Sequence, residues 1–462
     1  MNFSKTIEKL FQNYIPSPFS IAVILTLLTL ICAVLLTNDQ DQTFYALEVL
    51  SFWEKGIWNN NLLVFAYQMI LILVLGHVLV LSKPFKALIS TLIQSIKSAE
   101  TAVMVLSLVT MIMAFINWGL GLIFGAIFAR KIGEHCQKNN IPINYPLVGA
   151  AGYVGLMIWH GGISGSAPIK VSENNHLKSI MSGISDLEVV SNLPEKIGFD
   201  LTIFSYSNLI TYLILLIIIP LVFWILQKRS TPQKESVQLI SNSKDKPIQT
   251  LDSGIKHPKI DHSKTVSILF GSLILISFYC NYSNQVLALQ ITPNALNLFV
   301  FGLAILLHGN FQSFLQALKQ AVKGSSGILI QFPLYFGIIG IMKDSGLILL
   351  ISDSFIAISN ETTLPIFTFL SAGLVNIFVP SGGGQWAIQG PIIVEAAMQL
   401  GVPIEKVIMA LSYGDQVTNM LQPFWALPVL AITGLKAKQI LPYSLIMMGI
   451  GSIIFIISLL IF

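Results

Sequence analysis

Four clusters of polar side chains and glycine interrupt a chain that is otherwise strongly apolar. They are Asn117-Trp118-Gly119-Leu120-Gly121, then Trp159-His160-Gly161-Gly162-Ile163-Ser164-Gly165-Ser166, then Asn376 to Pro391 around Pro380-Ser381-Gly382-Gly383-Gly384-Gln385-Trp386, and finally Tyr413-Gly414-Asp415-Gln416-Val417-Thr418-Asn419 running on to Gln422-Pro423. Glycine lets a ligand approach the backbone, and the free N–H groups of a helix restarting after a break attract a carboxylate. Carbonyl oxygens at the preceding helix end suit a small cation such as Na⁺. Asp415 is the only acid between Lys406 and Lys436, and a carboxylate inside an apolar stretch of membrane length is expensive and marks function by default. None of the four clusters contains Lys or Arg. An anion there would be held by amides, hydroxyls and helix ends, which fits a small monocarboxylate better than a polyvalent substrate.

Each cluster also has a plainer explanation. Small residues in membrane helices serve close packing, and for Gly119 or Gly121 alone that explanation is as good as a site. A run of three glycines after Pro380-Ser381 would melt a helix without compensation, so Ser381, Gly382, Gly383 and Gly384 read as a ligand site. His160 can be a histidine bonded across helices rather than a ligand, and Trp118, Trp159, Trp386 and Trp425 can be interface anchors. Asp415 is expected to serve as a Na⁺ ligand or proton carrier, the plainer alternative being that it lies nearer the external end, solvated beside Glu405, and Gln416 and Asn419 are expected to serve the ion or a gate.

These residues need elements that hold polar backbone at membrane depth. The chain has 462 residues, 54% hydrophobic and 10% charged, with net charge +4 and mean hydropathy +0.75. Soluble chains carry about 25% charged residues, so a water-soluble protein is excluded, and the small net charge gives no reason to expect a nucleic-acid partner. Cys32, Cys136 and Cys280 show no disulfide or metal-type spacing, and no cleavable leader is read at the N-terminus. Apolar segments of membrane length fall at 17–37, 60–82, 101–129, 145–169, 201–226, 265–285, 294–308, 326–346, 363–400, 404–434 and 441–461. The basic loops 83–100, 130–140, 227–264 and 309–325 read as cytoplasmic, and the acid-bearing 38–59 and 170–200 as external. Segment 101–129 then has basic loops on both sides, so it should enter and leave from the cytoplasm as a re-entrant hairpin broken at Asn117. Segment 363–400 becomes its external counterpart. The expectation is an all-α polytopic membrane protein of about nine crossings plus two re-entrant hairpins, N-terminus inside and C-terminus outside.

The halves are faintly alike at an offset of about 260 residues: Asn117 with Asn376, Tyr153 with Tyr413, Pro168 with Pro428, and Gln68 near the position of Gln331. Inverted repeats with broken helices are a recurrent plan of secondary transporters. The first half would be 1–226, with hairpin 101–129 and broken helix 145–169. A cytoplasmic linker, 227–264, joins it to the second half, 265–462, with hairpin 363–400 and broken helix 404–434. No nucleophile elbow, metal motif or phosphate loop is present, so an enzyme or an ATP-driven pump is not expected, and a channel fits a long two-fold chain poorly.

Val379-Pro380-Ser381-Gly382-Gly383-Gly384-Gln385-Trp386, Ile388-Gln389-Gly390-Pro391 and Gln422-Pro423-Phe424-Trp425-Ala426-Leu427-Pro428 closely resemble the bacterial short-chain fatty acid transporter family. Ile116-Asn117-Trp118-Gly119 and Gly162-Ile163-Ser164-Gly165-Ser166 resemble its first-half motifs, and the likeness covers nearly the whole chain. It implies a symporter of the cytoplasmic membrane, related to the ion transporter superfamily, in which two hairpins and two broken helices move beside a dimeric scaffold. The chain departs from one member of that family, which has Glu at the Asp415 position and His at the Gln385 position, so an acid is kept at the first and substrate choice stays open at the second. The substrate is then expected between Asn117, Gly119, Gly162, Ser164, Ser166, Asn376, Ser381, Gly382, Gly383, Gly384 and Gln385. Na⁺ or H⁺ is the coupling ion, with Na⁺ conceivable at the hairpin tips, and no other cofactor is expected. Acetoacetate, butyrate or a similar small carboxylate is the expected substrate, the lipid bilayer the expected surroundings and a homodimer the implied assembly. A membrane sensor that binds small carboxylates without moving them is the rival reading.

Overall fold

A computed structural model of the chain describes residues 18–37, 44–94, 96–181, 190–191, 193–230, 259–287, 292–322 and 326–462. The N-terminal residues 1–17 and most of the expected linker, 231–258, lie outside the described residues. Among the described residues every regular element is helical.

The first half runs α1 (Pro18–Leu36), α2 (Tyr45–Ile57), α3 (Asn60–Leu81), α4 (Lys83–Gln94), α5 (Ala99–Ile116), α6 (Trp118–Lys138), α7 (Tyr145–Tyr153), α8 (Ser166–Ser172), α9 (His176–Met181) and α10 (Tyr206–Arg229). The second half runs α11 (Lys264–Leu287), α12 (Pro293–His308), α13 (Phe311–Val322), α14 (Ser326–Asp344), α15 (Leu347–Ile356), α16 (Leu364–Phe378), α17 (Gly382–Leu400), α18 (Ile404–Thr418), α19 (Pro423–Thr433) and α20 (Ala437–Ile461). Side-chain oxygens of Asn59, Ser98, Asn117, Asn144, Ser205, Thr292 and Ser381 accept backbone N–H groups at the starts of α3, α5, α6, α7, α10, α12 and α17. Each satisfies one of the donors that a helix start leaves unpaired.

Six helices among the described residues are long and apolar enough to cross a membrane: α1, α3, α5, α10, α11 and α20. The pair α14 and α15, bent by 69°, makes a seventh if taken as one span. Tyr145–Met157, α12 and α16 are apolar but shorter, so reaching nine crossings requires short and broken helices to cross as composites.

One element departs from the sequence reading. The stretch 38–59, expected as an external loop, contains α2, which packs closely on α14: a Cβ on Gly56 would lie 2.4 Å from the Phe336 carbonyl oxygen. Val49, Phe52, Trp53 and Gly56 form a helical stripe turned inward, while Glu48, Glu54 and Lys55 are exposed. The charges occupy the face away from the contact, so they mark one side of a helix rather than a loop. Helix α3 meets α12 through polar ties, Gln68 Nε2 donating to Asn294 Oδ1 (2.7 Å) and Asn297 Nδ2 donating to the Gln68 carbonyl (2.9 Å).

Candidate substrate and ion site

The helices around the four polar clusters are interrupted, and the interruptions converge. After α7 the chain passes through a 3-10 turn, Val154–Met157, and then an irregular stretch to α8. After α18 a 3-10 turn, Asn419–Leu421, leads into α19. Asn117 alone separates α5 from α6, and Val379–Ser381 separate α16 from α17.

The centre of the convergence joins Asp415, expected as the coupling residue, to His160, which the sequence reading had not paired with it. His160 and Asp415 are 0% and 1% exposed, and His160 Nδ1 meets Asp415 Oδ2. His160 Nε2 accepts the Ala167 N–H at the start of α8 (3.1 Å), and the ring stacks on Trp159, centroids 4.6 Å apart. Asp415 Oδ1 is buried without a hydrogen-bond partner.

Gln416 closes the first break from the second half. Its Oε1 accepts the backbone N–H of His160 (2.9 Å), the N–H of Gly161 (3.1 Å) and the Tyr212 hydroxyl (3.1 Å). Asn208 Nδ2 donates to the Gly161 carbonyl (3.0 Å) and its Oδ1 accepts the Tyr413 hydroxyl (2.9 Å). The reverse tie comes from Tyr153, whose hydroxyl donates to the carbonyl oxygens of Asn419 (2.5 Å) and Gln422 (3.1 Å). Buried backbone groups must find partners, and here two backbone groups of each unwound segment find one in a side chain of the opposite half, Gln416 or Tyr153.

The expected substrate residues divide by what they touch. Asn117 Oδ1 caps α6 by accepting Leu120 N–H (3.0 Å), and Ser164 Oγ accepts Trp118 N–H (2.9 Å), so both hold the α5–α6 turn. A Cβ on Gly119 would contact Ile72 and Leu296 at 3.4 Å, which turns this glycine toward α3 and α12. A Cβ on Gly162 would lie 2.5 Å from the Phe115 carbonyl oxygen, so here glycine serves backbone contact with α5. Asn376, paired with Asn117 by offset, caps nothing; Ser381 caps α17 (3.2 Å to Gly384 N). Asn376 Nδ2 instead donates to the Asp415 carbonyl (2.6 Å), Asn419 Oδ1 (2.8 Å) and Thr418 Oγ1 (2.9 Å), and Gln422 Nε2 donates to the Asn376 carbonyl. Gln385 points between α16 and α17, donating to the Ala372 carbonyl (2.9 Å) and Gln389 Oε1 (2.7 Å).

The glycine run is not uniform. A Cβ on Gly382 would fall 2.7 Å from His160 Cε1 and 2.9 Å from Trp159 Cη2, whereas one on Gly383 would meet only Ser166, at 3.8 Å. Gly382 is buried against the histidine; Gly383 is exposed, with Ser166 and Ser381 half-buried beside it. The N-terminal amides of α17 thus reach an open position one residue from the buried pair. A cavity of about 350 Å³ at the α10, α18 and α20 side is lined by Asp200, Lys406, Met409 and Tyr413, among others, and Met409 stands against Gly161. Sequence reasoning weighed His160 as a histidine bonded across helices without placing it in the site, and left out Tyr212 and Asn208. The available signals were a lone histidine inside a glycine break, and an amide and a tyrosine on an otherwise apolar helix.

The family model described as short chain fatty acid transporter matches residues 1–462. The chain is 34% identical over 460 residues to an Escherichia coli (strain K12) protein provisionally named a short-chain fatty acid transporter, covering 99% of each. A Haemophilus influenzae protein of the same provisional name is 33% identical over 458 residues, covering 97% of this chain and 96% of its own. Among solved structures, MtrF of Neisseria gonorrhoeae, described with a class of antimetabolite efflux pumps, aligns over 99% of this chain and 96% of its own at 14% identity and TM-score 0.42. The YdaH transporter of Alcanivorax borkumensis aligns over 96% and 98% at 14% identity and TM-score 0.39.

Proposed function

The chain belongs to the short chain fatty acid transporter family, and from that premise we propose that it imports acetoacetate, butyrate or a similar small carboxylate across the bacterial cytoplasmic membrane, coupled to an ion gradient. It is a multi-pass membrane transport protein and not an enzyme. The observation that carries the finer reading is the start of α17: exposed Gly383 lies next to Ser166 and Ser381 and adjoins Gly382, which rests on the His160 ring that meets Asp415. A carboxylate at that helix end meets the N-terminal end of a helix with its partial positive charge, and none of the four clusters supplies a Lys or Arg that would demand a second negative group.

Alternating access between inverted halves is supported by the reciprocity of the contacts. Helix α2 lies on α14 as α3 lies on α12. Tyr153 ties the second break, and Tyr413 ties the first through Asn208. Gln416 Oε1 is occupied by three donors and Asn419 Oδ1 by Asn376, so these two side chains read as latches of the breaks rather than as ion ligands. In this reading the N-terminus is inside, the C-terminus outside, and the scaffold helices form a homodimer. Uptake of labelled short acids into vesicles carrying the protein, under separate Na⁺ and H⁺ gradients, tests it. Saturable binding without accumulation of any short acid would favour a sensor instead.

A further inference from the structure

We propose that the coupling ion is a proton and that the His160–Asp415 pair carries it, an inference that rests on the transport reading above. The histidine's protonation follows from its partners. A ring nitrogen that accepts a backbone N–H bears no hydrogen, so the Ala167 contact leaves Nε2 bare. The ring is then neutral, with its one hydrogen on Nδ1 and donated to Asp415 Oδ2. Placing a second proton on the ring would set an N–H against the Ala167 N–H. Asp415 Oδ1, buried and without a partner, can take a proton with both histidine contacts kept.

Among the described residues no Lys or Arg forms an ion pair with the Asp415 carboxyl, whose partner is His160. Tyr153, Tyr212 and Tyr413 come from α7, α10 and α18, and each hydroxyl is engaged in a hydrogen bond. Helix α16 has no ionisable side chain. The charged groups of α17 and α8 are Glu395, and Lys170 in contact with Glu173 outside the cluster. Glu405 and Lys406 stand in the first turn of α18, and Lys438 and Tyr443 near the start of α20. With the proton on Oδ1 the pair is uncharged. Without it, a carboxylate is left in a dry site with one donor, which is costly.

Substrate and proton meet at one place. Gly382 rests on the His160 ring, and the adjoining Gly383 is exposed at the same helix start. A carboxylate arriving there is a second negative charge beside the pair, tolerated when Asp415 is protonated and opposed when it is not. The proton comes from the outer solution, rides on Oδ1 while the anion is bound, and leaves to the cytoplasm with it. One cycle thus moves one proton and one monocarboxylate, with no net charge.

The test uses the full chain in vesicles with the potential clamped and labelled butyrate outside, corrected by protein-free vesicles for entry of the uncharged acid. An inward proton gradient should drive accumulation and a Na⁺ gradient alone should not. Asp415→Asn should lower gradient-driven accumulation about tenfold or more, the size of an ordinary coupling between sites, while labelled-for-unlabelled exchange persists. Asp415→Glu should restore dependence on the proton gradient. Infrared difference spectra between high and low pH should show a protonated carboxyl band that vanishes in Asp415→Asn and shifts in His160→Gln. Accumulation that follows Na⁺ and ignores pH overturns the proposal, as does a carboxyl band that survives in the Asn variant. Both the gradient and the infrared arms on the unaltered protein stand even if a variant does not fold. If the unaltered protein exchanges no short acid at all, the transport reading itself fails, whatever the infrared band shows.

Discussion

Adding one methyl group at Gly382 probes whether the tip of α17 rests on the histidine. The new Cβ would stand 2.7 Å from His160 Cε1 and 3.1 Å from Nδ1, about 0.7 Å inside the closest ordinary carbon contact. The ring cannot turn aside, because both nitrogens are bonded and one face is stacked on Trp159. Either the tip lifts or the ring leaves Asp415. Overpacking of this kind costs about 1–3 kcal/mol. Alanine recovers about 1 kcal/mol of helix propensity over glycine at most, so the net penalty reaches about 2 kcal/mol with that recovery complete, a range that includes the tenfold corresponding to about 1.4 kcal/mol. Gly383→Ala is the matched control, since it gains the same propensity and meets nothing nearer than Ser166 Oγ at 3.8 Å. Initial uptake rates in vesicles, with unfolding followed by tryptophan fluorescence, should show Gly382→Ala roughly tenfold slower and less stable while Gly383→Ala unfolds no earlier than the parent. Two alanine variants indistinguishable in both measurements would refute the contact between tip and histidine.

Gln416→Leu removes the acceptor of two backbone N–H groups and the Tyr212 hydroxyl. At about 1–3 kcal/mol for each buried donor left unpaired, the variant should be recovered poorly as folded protein by size-exclusion chromatography. Gln416→Glu, which keeps the oxygen, should be recovered better, and equal yields of all three would argue against the latch. Tyr153→Phe withdraws the hydroxyl from the carbonyls of Asn419 and Gln422 and should lower the unfolding midpoint by an amount corresponding to about 1 kcal/mol; an unchanged midpoint would count against that tie. For topology, single cysteines replacing the exposed Lys97 and Lys138, in a background lacking Cys32, Cys136 and Cys280, should both react with an impermeant thiol reagent only from the cytoplasmic side. Labelling from opposite sides would mean that the α5–α6 segment crosses the membrane.

What was legible in the sequence follows from the range of the interactions. The interruptions could be read because glycine and amides inside an apolar run are local signals, and the helices flanking Asn117 and Ser381 start where those side chains cap them. Asp415 stood out for the same reason. Its partner did not, because His160 is 255 residues away, and nothing local distinguishes a histidine that meets a carboxylate from one that meets a carbonyl. The three glycines at 382–384 are alike in sequence and differ only in what lies opposite them. The repeat offset pairs Asn117 with Asn376, yet their side chains serve different ends, since the cap of the second hairpin had passed to Ser381. Helix α2 was hidden because its acids sit on the face away from α14.

The three donors on Gln416 Oε1 also bear on how the chain is made. His160 and Gly161 precede their acceptor by 256 and 255 residues. At a synthesis rate of about 5–20 residues per second, the first unwound segment waits roughly 10–50 s for Gln416 to emerge. During that interval those two amides need another partner in the bilayer, which favours keeping the segment wet until α18 arrives. A chain stopped after α10 would hold that wet seam permanently, lacking the carbonyl that seals it. Biogenesis should therefore depend on co-assembly of the halves: expressed separately, each should be degraded, and expressed together they should rescue one another.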